Sequence, residues 1–242
     1  MRALIVTPTY QEAANIGEYL RRVRDTVPDI DILVVDDGSP DGTADIAEAT
    51  ARERGGIEVL RRPGKSGLGS AYRAGFAVGL ERGYDVLFQM DADLSHDPAA
   101  VPALLAGIGD GAHMVIGSRY VPGGAIPDWP LHRRALSRWG NRYTAFVLGM
   151  PIRDATSGFR AYRADALRAV DYDTTRSKGY GFQMELAYRT FRLDRPITEV
   201  PIVFTDRVHG ASKLTLAIAA EELTFVTWWG LRDRILRRRA AR

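Results

Sequence analysis

The chain has 242 residues, 33 Lys and Arg against 30 Asp and Glu, and 45% apolar side chains. That is enough to bury a core, and it excludes a disordered or collagen-like polymer. With no cysteine there is no disulfide framework, thiolate zinc site, thiol nucleophile or iron–sulfur cluster, and the net charge of +3 belongs to the end of the chain, where Arg232 to Arg242 holds six Arg and one Asp.

From the start, Met1 to Tyr10 has only Ala3 to Val6 as an apolar stretch, too little for an export signal. Leu4-Ile5-Val6, Ile32 to Val35, Ile57 to Leu60, Val86 to Phe88 and Met114 to Ile116 read as strands of a buried, mostly parallel sheet. Between the first two, Ile16, Tyr19, Leu20, Val23 and Val27 follow the spacing of one helical face. Asp41 to Arg54, Leu68 to Arg82 and Pro98 to Gly107 are the further helices, the last opened by Asp97-Pro98. The alternation predicts an open α/β sheet with ligands at the carboxyl ends of its strands. Val121 to Pro130, with its Gly and Pro, reads as a loop long enough for a lid. Leu131 to Leu148 reads as a helix, Phe159 to Tyr162 as a strand, Phe182 to Arg192 as a helix and Ile197 to Phe204 as a strand. Leu214 to Leu231 is apolar but carries Glu221 and Glu222, which argues against a membrane span.

Two acidic segments end strands. Asp36-Asp37-Gly38-Ser39 closes the second, and Asp91-Ala92-Asp93 closes the fourth. Alone, the first is explained by an Asx turn and the second by a solvated loop. Together, at neighbouring strand ends, they point to a site. Residues two apart in extended chain share a side, so Asp91 and Asp93 can face one cation. The histidines His96, His113, His132 and His209 are too scattered for an HxxxH pair, so oxygen ligands and Mg²⁺ or Mn²⁺ are expected. A cation between aspartates suits a nucleotide diphosphate and makes group transfer from a nucleotide the leading reaction class. Gly64-Lys65-Ser66 is no P-loop, since Val59 stands where the opening glycine belongs, and Tyr72 breaks a dinucleotide fingerprint at Gly67-Leu68-Gly69. Arg119, Arg133, Arg134, Arg207 and Lys213 are candidate phosphate clamps, each also explicable as a solvated charge.

These segments resemble those of family 2 GT-A glycosyltransferases, in particular the polyprenol (dolichol) phosphate mannose synthases. The likeness runs through Pro8 to Ile16, Val35 to Thr43, Lys65 to Tyr72, Asp91 to His96, Ser157 to Arg160, Lys178 to Glu185 and Asp206 to Lys213. It implies a GT-A, Rossmann-like sheet over residues 1–213 and a C-terminal amphipathic helix and basic tail over 214–242. It also implies a GDP moiety against Pro8, Tyr10, Glu12, Val35, Asp37, Asp91 and Ala92. Asp91 and Asp93 would hold the cation with Ser95, which stands where some members have Gln. Arg119, Arg207 and Lys213, with Arg133 and Ser137 beyond the loop, would bind donor diphosphate and acceptor phosphate, making Asp93, Arg119, Arg207 and Lys213 the catalytic set.

The implied reaction is metal-dependent, inverting transfer of mannose from GDP-mannose to a polyprenyl phosphate. The acceptor, with a second pKa of about 6, is already mostly dianionic and needs no general base. The alternative is a glucosyltransferase or another family 2 enzyme using polyprenyl phosphate, with a non-catalytic nucleotide-sugar binder behind both. Ala219, Ala220, Leu223, Val226 and Gly230, followed by Trp228-Trp229 and the arginine-rich end, suit either a helix at a membrane interface or a core helix with a solvated basic end. The expected setting is the cytoplasmic face of a membrane, peripherally bound, with room for a membrane-anchoring protein partner. No aromatic-interleaved basic patch marks a nucleic-acid site.

Overall fold

The computed structural model describes residues 1–175, 181–206 and 223–233. In chain order these form β1 (Ala3–Thr9), α1 (Ile16–Thr26), β2 (Asp31–Asp36), α2 (Thr43–Arg54), β3 (Ile57–Arg61), α3 (Leu68–Glu81), β4 (Val86–Gln89) and α4 (Val101–Gly109). There follow β5 (Met114–Ser118), α5 (Leu131–Leu148), β6 (Arg160–Arg163), α6 (Ala164–Ala169), α7 (Gly181–Arg192) and β7 (Ile197–Pro201). A last helix, α8, is described over residues 223–233.

The strands lie in the order β3-β2-β1-β4-β6-β5-β7. All neighbours are parallel except β6, which runs antiparallel to both β4 and β5. β1 pairs with β2 on one side and β4 on the other. The chain therefore winds outward from β1 to β3 and returns across it to β4, which opens a crevice at the carboxyl ends of β1, β2 and β4.

The expected helical face of α1 is buried as a stripe of Ile16, Tyr19, Leu20 and Val23, packed with Ile5, Phe88 and Leu104 on one side of the sheet. On the other side Leu4, Val6 and Leu87 meet Tyr72 and Phe76 of α3, Phe182 of α7, and Val226 and Trp229 of α8. Glycine is required inside α3, where a Cβ at Gly75 would stand 2.3 Å from Val6 Cγ1 and one at Gly79 2.4 Å from Leu87 Cδ2. Gly costs about 1 kcal/mol against Ala in a helix interior, and close approach to the sheet offsets it.

Three boundaries differ from expectation for local reasons. α2 starts at Thr43, because Gly42 takes a left-handed φ of 85° and the Asp41 carboxylate accepts from the Thr43 amide at 3.2 Å. Pro98–Ala100 is a 3₁₀ turn capped by Asp97, whose carboxylate accepts from the Ala99 amide at 2.9 Å. The strand expected over Ile197 to Phe204 ends at Pro201, opposite the last residue of β5, with the Ile202 amide still donating to Ser118 at 3.0 Å. Val203 and Phe204 then make only single bridges, to Ala125 and His96.

Candidate active site

The crevice is built from three loops. Pro8 of β1 lies in register with Val35 of β2, and Thr9 with Asp36. Asp36 is turned inward as a brace: it accepts from Thr9 Oγ1 at 2.9 Å, from the Ser39 amide at 2.9 Å and from Ser39 Oγ at 2.6 Å. The second loop then holds the first, since Ser39 Oγ, Thr43 Oγ1 and Asp41 Oδ2 accept from the amides of Gln11, Glu12 and Ala13 at 3.0, 2.9 and 3.2 Å. Gln11 is left-handed at φ 58°, a conformation that costs a non-glycine residue about 1–3 kcal/mol and is kept only where its surroundings dictate it. Lys65 Nζ sits 4.6 Å from the centre of the Tyr10 ring.

Asp37, the adjacent carboxylate, accepts from Arg62 Nη1 at 2.7 Å and from the Ser66 amide at 3.1 Å. It ties the loop before α3 to the end of β2. The expected nucleotide-side residues Pro8, Tyr10, Glu12, Val35 and Asp37 thus stand at the ends of β1 and β2 and on the loops that follow them, which are hydrogen-bonded to each other and to a third.

Asp91-Ala92-Asp93 leaves β4 beside β1, where the Met90 amide still donates to Val6 at 3.3 Å. Asp91 Oδ1 accepts from Tyr72 Oη of α3 at 3.0 Å, and its amide donates to His96 Nδ1 at 3.2 Å. His96 is itself pinned, stacked on Phe159 at 4.9 Å and edge-on to Phe204 at 5.7 Å. Gly158 closes in from the other side, where a Cβ would lie 3.4 Å from Asp91 Oδ2. Asp93 Oδ1 accepts from both the amide and the hydroxyl of Ser95, at 3.1 and 2.5 Å. Between them Leu94 is left-handed at φ 64°, so this short loop carries strain in order to hold two carboxylates one residue apart. Burial, and then the negative charge of Asp91, push the Tyr72 hydroxyl well above its ordinary value. Burial, with smaller help from Asp91 and Asp93, does the same for Tyr19. Tyr72 therefore keeps its proton and stays a donor to Asp91.

Arg119, expected among the phosphate-binding groups, directly follows β5. Its side chain is 7% exposed and grips the fully buried Asp154 through Nε and Nη2, both at 2.7 Å, while Nη2 also reaches Thr156 Oγ1 at 2.7 Å. These bonds fix its guanidinium against the segment before β6. Beyond it, Trp129 at the end of the 121–130 loop lies under Arg133 of α5, at 3.8 Å from ring centre to guanidinium. Arg133 also reaches Asp206 at 3.4 Å, and Ser137 Oγ accepts from Tyr120 Oη at 2.7 Å. Arg133 and Ser137 thus stand together on the first turns of α5, facing the end of β5. Arg207 and Lys213 lie outside the described residues.

Sequence reasoning missed several supports. Arg160 is fully buried and donates to the backbone carbonyls of Ala155, Ser157 and Gln183 at 2.5–2.7 Å, fastening the Gly158 loop to α7. Tyr72, His96 and Arg160 all fall inside segments picked out by their motifs, which was the available signal. Asp154 lies outside every such segment.

The chain was compared with known proteins. A family model described as glycosyl transferase family 2 matches residues 4–171. The undecaprenyl-phosphate mannosyltransferase of Micrococcus luteus is 51% identical over 234 residues, covering 97% of this chain and 96% of its own. The polyprenol monophosphomannose synthase of Mycolicibacterium smegmatis is 45% identical over 239 residues, covering 98% and 90%. Among solved structures, glucosyl-3-phosphoglycerate synthase from Mycobacterium tuberculosis, in complex with Mn²⁺, UDP-glucose and phosphoglyceric acid, aligns with a TM-score of 0.69 at 22% identity. That match covers 95% of this chain and 79% of the other.

Proposed function

The chain belongs to glycosyl transferase family 2 and is a mannosyltransferase with the GT-A fold, and from that premise we propose that it transfers mannose from GDP-mannose to a polyprenyl phosphate with inversion at the sugar carbon. The observation that carries the reading is the Asp91-Ala92-Asp93 segment at the strand switch, braced from α3, His96 and Ser95.

Among the described residues no cluster of three or more His, Cys, Asp or Glu side chains is gathered for a metal. Two carboxylates alone still fit a hard divalent cation, because such ions commonly take one or two carboxylates and complete their shell with substrate phosphate oxygens and water. Asp91 and Asp93 would hold Mg²⁺ or Mn²⁺, with Ser95 aiming Asp93. When bound, the cation offsets charge that builds on the departing diphosphate.

The chain's own groups do the rest. The loops after β1 and β2 seat the nucleotide, and Asp37 is available through a fixed geometry because Arg62 and Ser66 hold it. Arg119, Arg207 and Lys213, with Arg133 and Ser137, are the expected clamps on donor diphosphate and acceptor phosphate. No proton has to leave the acceptor, since a phosphate monoester is mostly dianionic at neutral pH. The task is to hold two anions in line across the sugar carbon. The acceptor's lipid puts the working enzyme at a membrane surface, on its cytoplasmic side, with a membrane-anchoring protein as an expected partner. Among the described residues no helix is long and apolar enough to cross a membrane.

The test is transfer of labelled sugar from GDP-mannose, GDP-glucose or UDP-glucose to a short polyprenyl phosphate, with and without Mg²⁺ or Mn²⁺, read after organic extraction. Label enters the lipid phase from GDP-mannose alone and only with metal. Transfer from UDP-glucose instead overturns the donor assignment, and metal-independent transfer overturns the role of Asp91 and Asp93. Tyr72→Phe removes one hydroxyl that orients Asp91. It lowers the transfer rate about tenfold, the scale of a lost hydrogen bond to a charged group, and raises the Mn²⁺ concentration needed for half-maximal rate.

A further inference from the structure

We propose that Gln183 hydrogen-bonds a hydroxyl of the transferred sugar and so selects which sugar is accepted, an assignment that rests on the mannosyl-transfer reading above.

Gln183 lies in the first turn of α7, where two contacts fix the backbone. Arg160 Nη1 donates to its carbonyl at 2.5 Å, and the preceding ring, Phe182, stacks on Tyr72 at 6.1 Å. The side chain has no such anchor. Gln183 is 3% exposed, yet its Oε1 is buried with no hydrogen-bond partner among the described residues. A buried acceptor left unmade costs its full desolvation, and folded proteins rarely keep one without a use for it. Two residues on, Glu185 accepts from Arg189 at 2.7 Å, an ion pair within the helix that leaves the Gln183 carboxamide aside.

The neighbours of that carboxamide show what it meets. A Cβ added to Gly158 would stand 3.4 Å from Asp91 Oδ2, 3.5 Å from Gln183 Nε2 and 3.7 Å from His96 Cε1. The amide of Gln183 and the carboxylate of Asp91 thus approach one spot. A methyl would fit there without a clash, and glycine leaves the space open.

Topology sets this spot on the sugar's side of the crevice. The expected nucleotide-side residues end or follow β1 and β2, which lie on one flank of β4. On the other flank β6 pairs with β4, Gln89 opposite Arg160, and this brings Gly158 and the first turn of α7 up to Asp91. A diphosphate held through Asp91 and Asp93, with its nucleoside over β1 and β2, sends its sugar toward that second flank. Sugar hydroxyls donate and accept, and a carboxamide does both. Epimers share size and charge, so a buried, directed hydrogen bond is what separates them.

The experiment is a cycle between protein and ligand, Gln183→Met against the monodeoxy forms of GDP-mannose, each lacking one sugar hydroxyl, in the presence of Mn²⁺. Affinity is read by calorimetry without acceptor, and kcat/KM by transfer to a short polyprenyl phosphate. Gln183→Met lowers kcat/KM for GDP-mannose about tenfold and leaves the affinity for GDP alone within about twofold. Its Tm does not fall, because methionine has nearly the volume of glutamine and no unmade acceptor. Wild type loses about tenfold with one of the deoxy donors, and with that donor the variant and wild type are equal. Losses that add for every deoxy donor overturn the proposal. So does a variant whose affinity for GDP falls as far as that for GDP-mannose, the mark of a purely structural residue. Gln183→Asn, which draws the carboxamide back by one methylene, shows the same pattern should the methionine variant fold poorly. A wild type that takes a different sugar nucleotide sinks the donor reading above, and the same cycle on that donor's deoxy forms then decides Gln183 by the same two results.

Discussion

Asp93→Asn abolishes mannosyl transfer, lowering kcat/KM by about a thousandfold or more, while the midpoint of thermal unfolding stays near that of wild type. The asymmetry follows from what the carboxylate does locally. Its Oδ1 accepts from the Ser95 amide and hydroxyl, and an asparagine carbonyl of the same shape can accept both. The backbone of the strained loop is therefore kept, and a nearly buried charge is removed, which costs the fold little. What is lost is one of two anionic oxygen donors, and a cation that depends on two carboxylates binds poorly to one. Initial rates at increasing Mn²⁺, paired with a circular-dichroism melt, separate the two effects. Wild-type turnover in this variant would sink the assigned site.

Asp154→Ala acts on the fold instead. Asp154 is fully buried, and it accepts from the Arg119 amide as well as from Nε and Nη2. Around that guanidinium stand the rings of Tyr120, Trp129 and Phe204, at 5.5–5.6 Å. Removing the carboxylate leaves a positive charge among aromatics with little water, and breaking a buried pair in this way costs about 3–5 kcal/mol. In a chain of this size each kcal/mol lowers Tm by about 2–4 °C, so the melt falls by roughly 10 °C. Replacing both partners, as in Asp154→Ala with Arg119→Met, restores most of it, since an apolar pair of similar volume is often as stable as the ions.

The pair also sets an acid limit. Burial by itself would raise the Asp154 carboxyl, but the charge and hydrogen bonds of Arg119 outweigh it and hold the group below its ordinary value. A depressed folded pKa contributes stability that is fully present above the unfolded value of about 3.9 and is lost as pH falls through the lower folded value. Asp154→Ala therefore flattens the acid limb of the stability profile. Urea titrations at neutral and acid pH measure both effects, and a single variant within about 1 kcal/mol of wild type would show that the pair is not a support.

Much of this was legible along the chain. The buried face of α1 was readable at Ile16, Tyr19, Leu20 and Val23, and the run of α5 from Leu131 to Leu148, because burial repeats with the helical period and needs no knowledge of what lies opposite. Asp91 and Asp93 were readable as acidic residues just past the fourth strand, since the apolar run before them stops there. The reversed direction of β6 was not, because an apolar run looks the same whichever way it is threaded.

The fate of individual side chains was harder still. Arg119 and Arg133 are the same residue type at comparable positions near strand ends and loops. One is locked to a carboxylate 35 residues away, and the other stacks on Trp129 at the mouth of the crevice. A guanidinium serves a phosphate or a buried aspartate equally well, and the choice depends on which partner the fold brings within about 3 Å. The chain by itself determined an α/β sheet with acidic residues at its strand ends, because those rest on local periodicity and on residue type. Only the tertiary structure decided which charges are locked to buried partners and that Trp139 and Phe146 of α5 are turned outward, because each of these is a property of distant segments meeting.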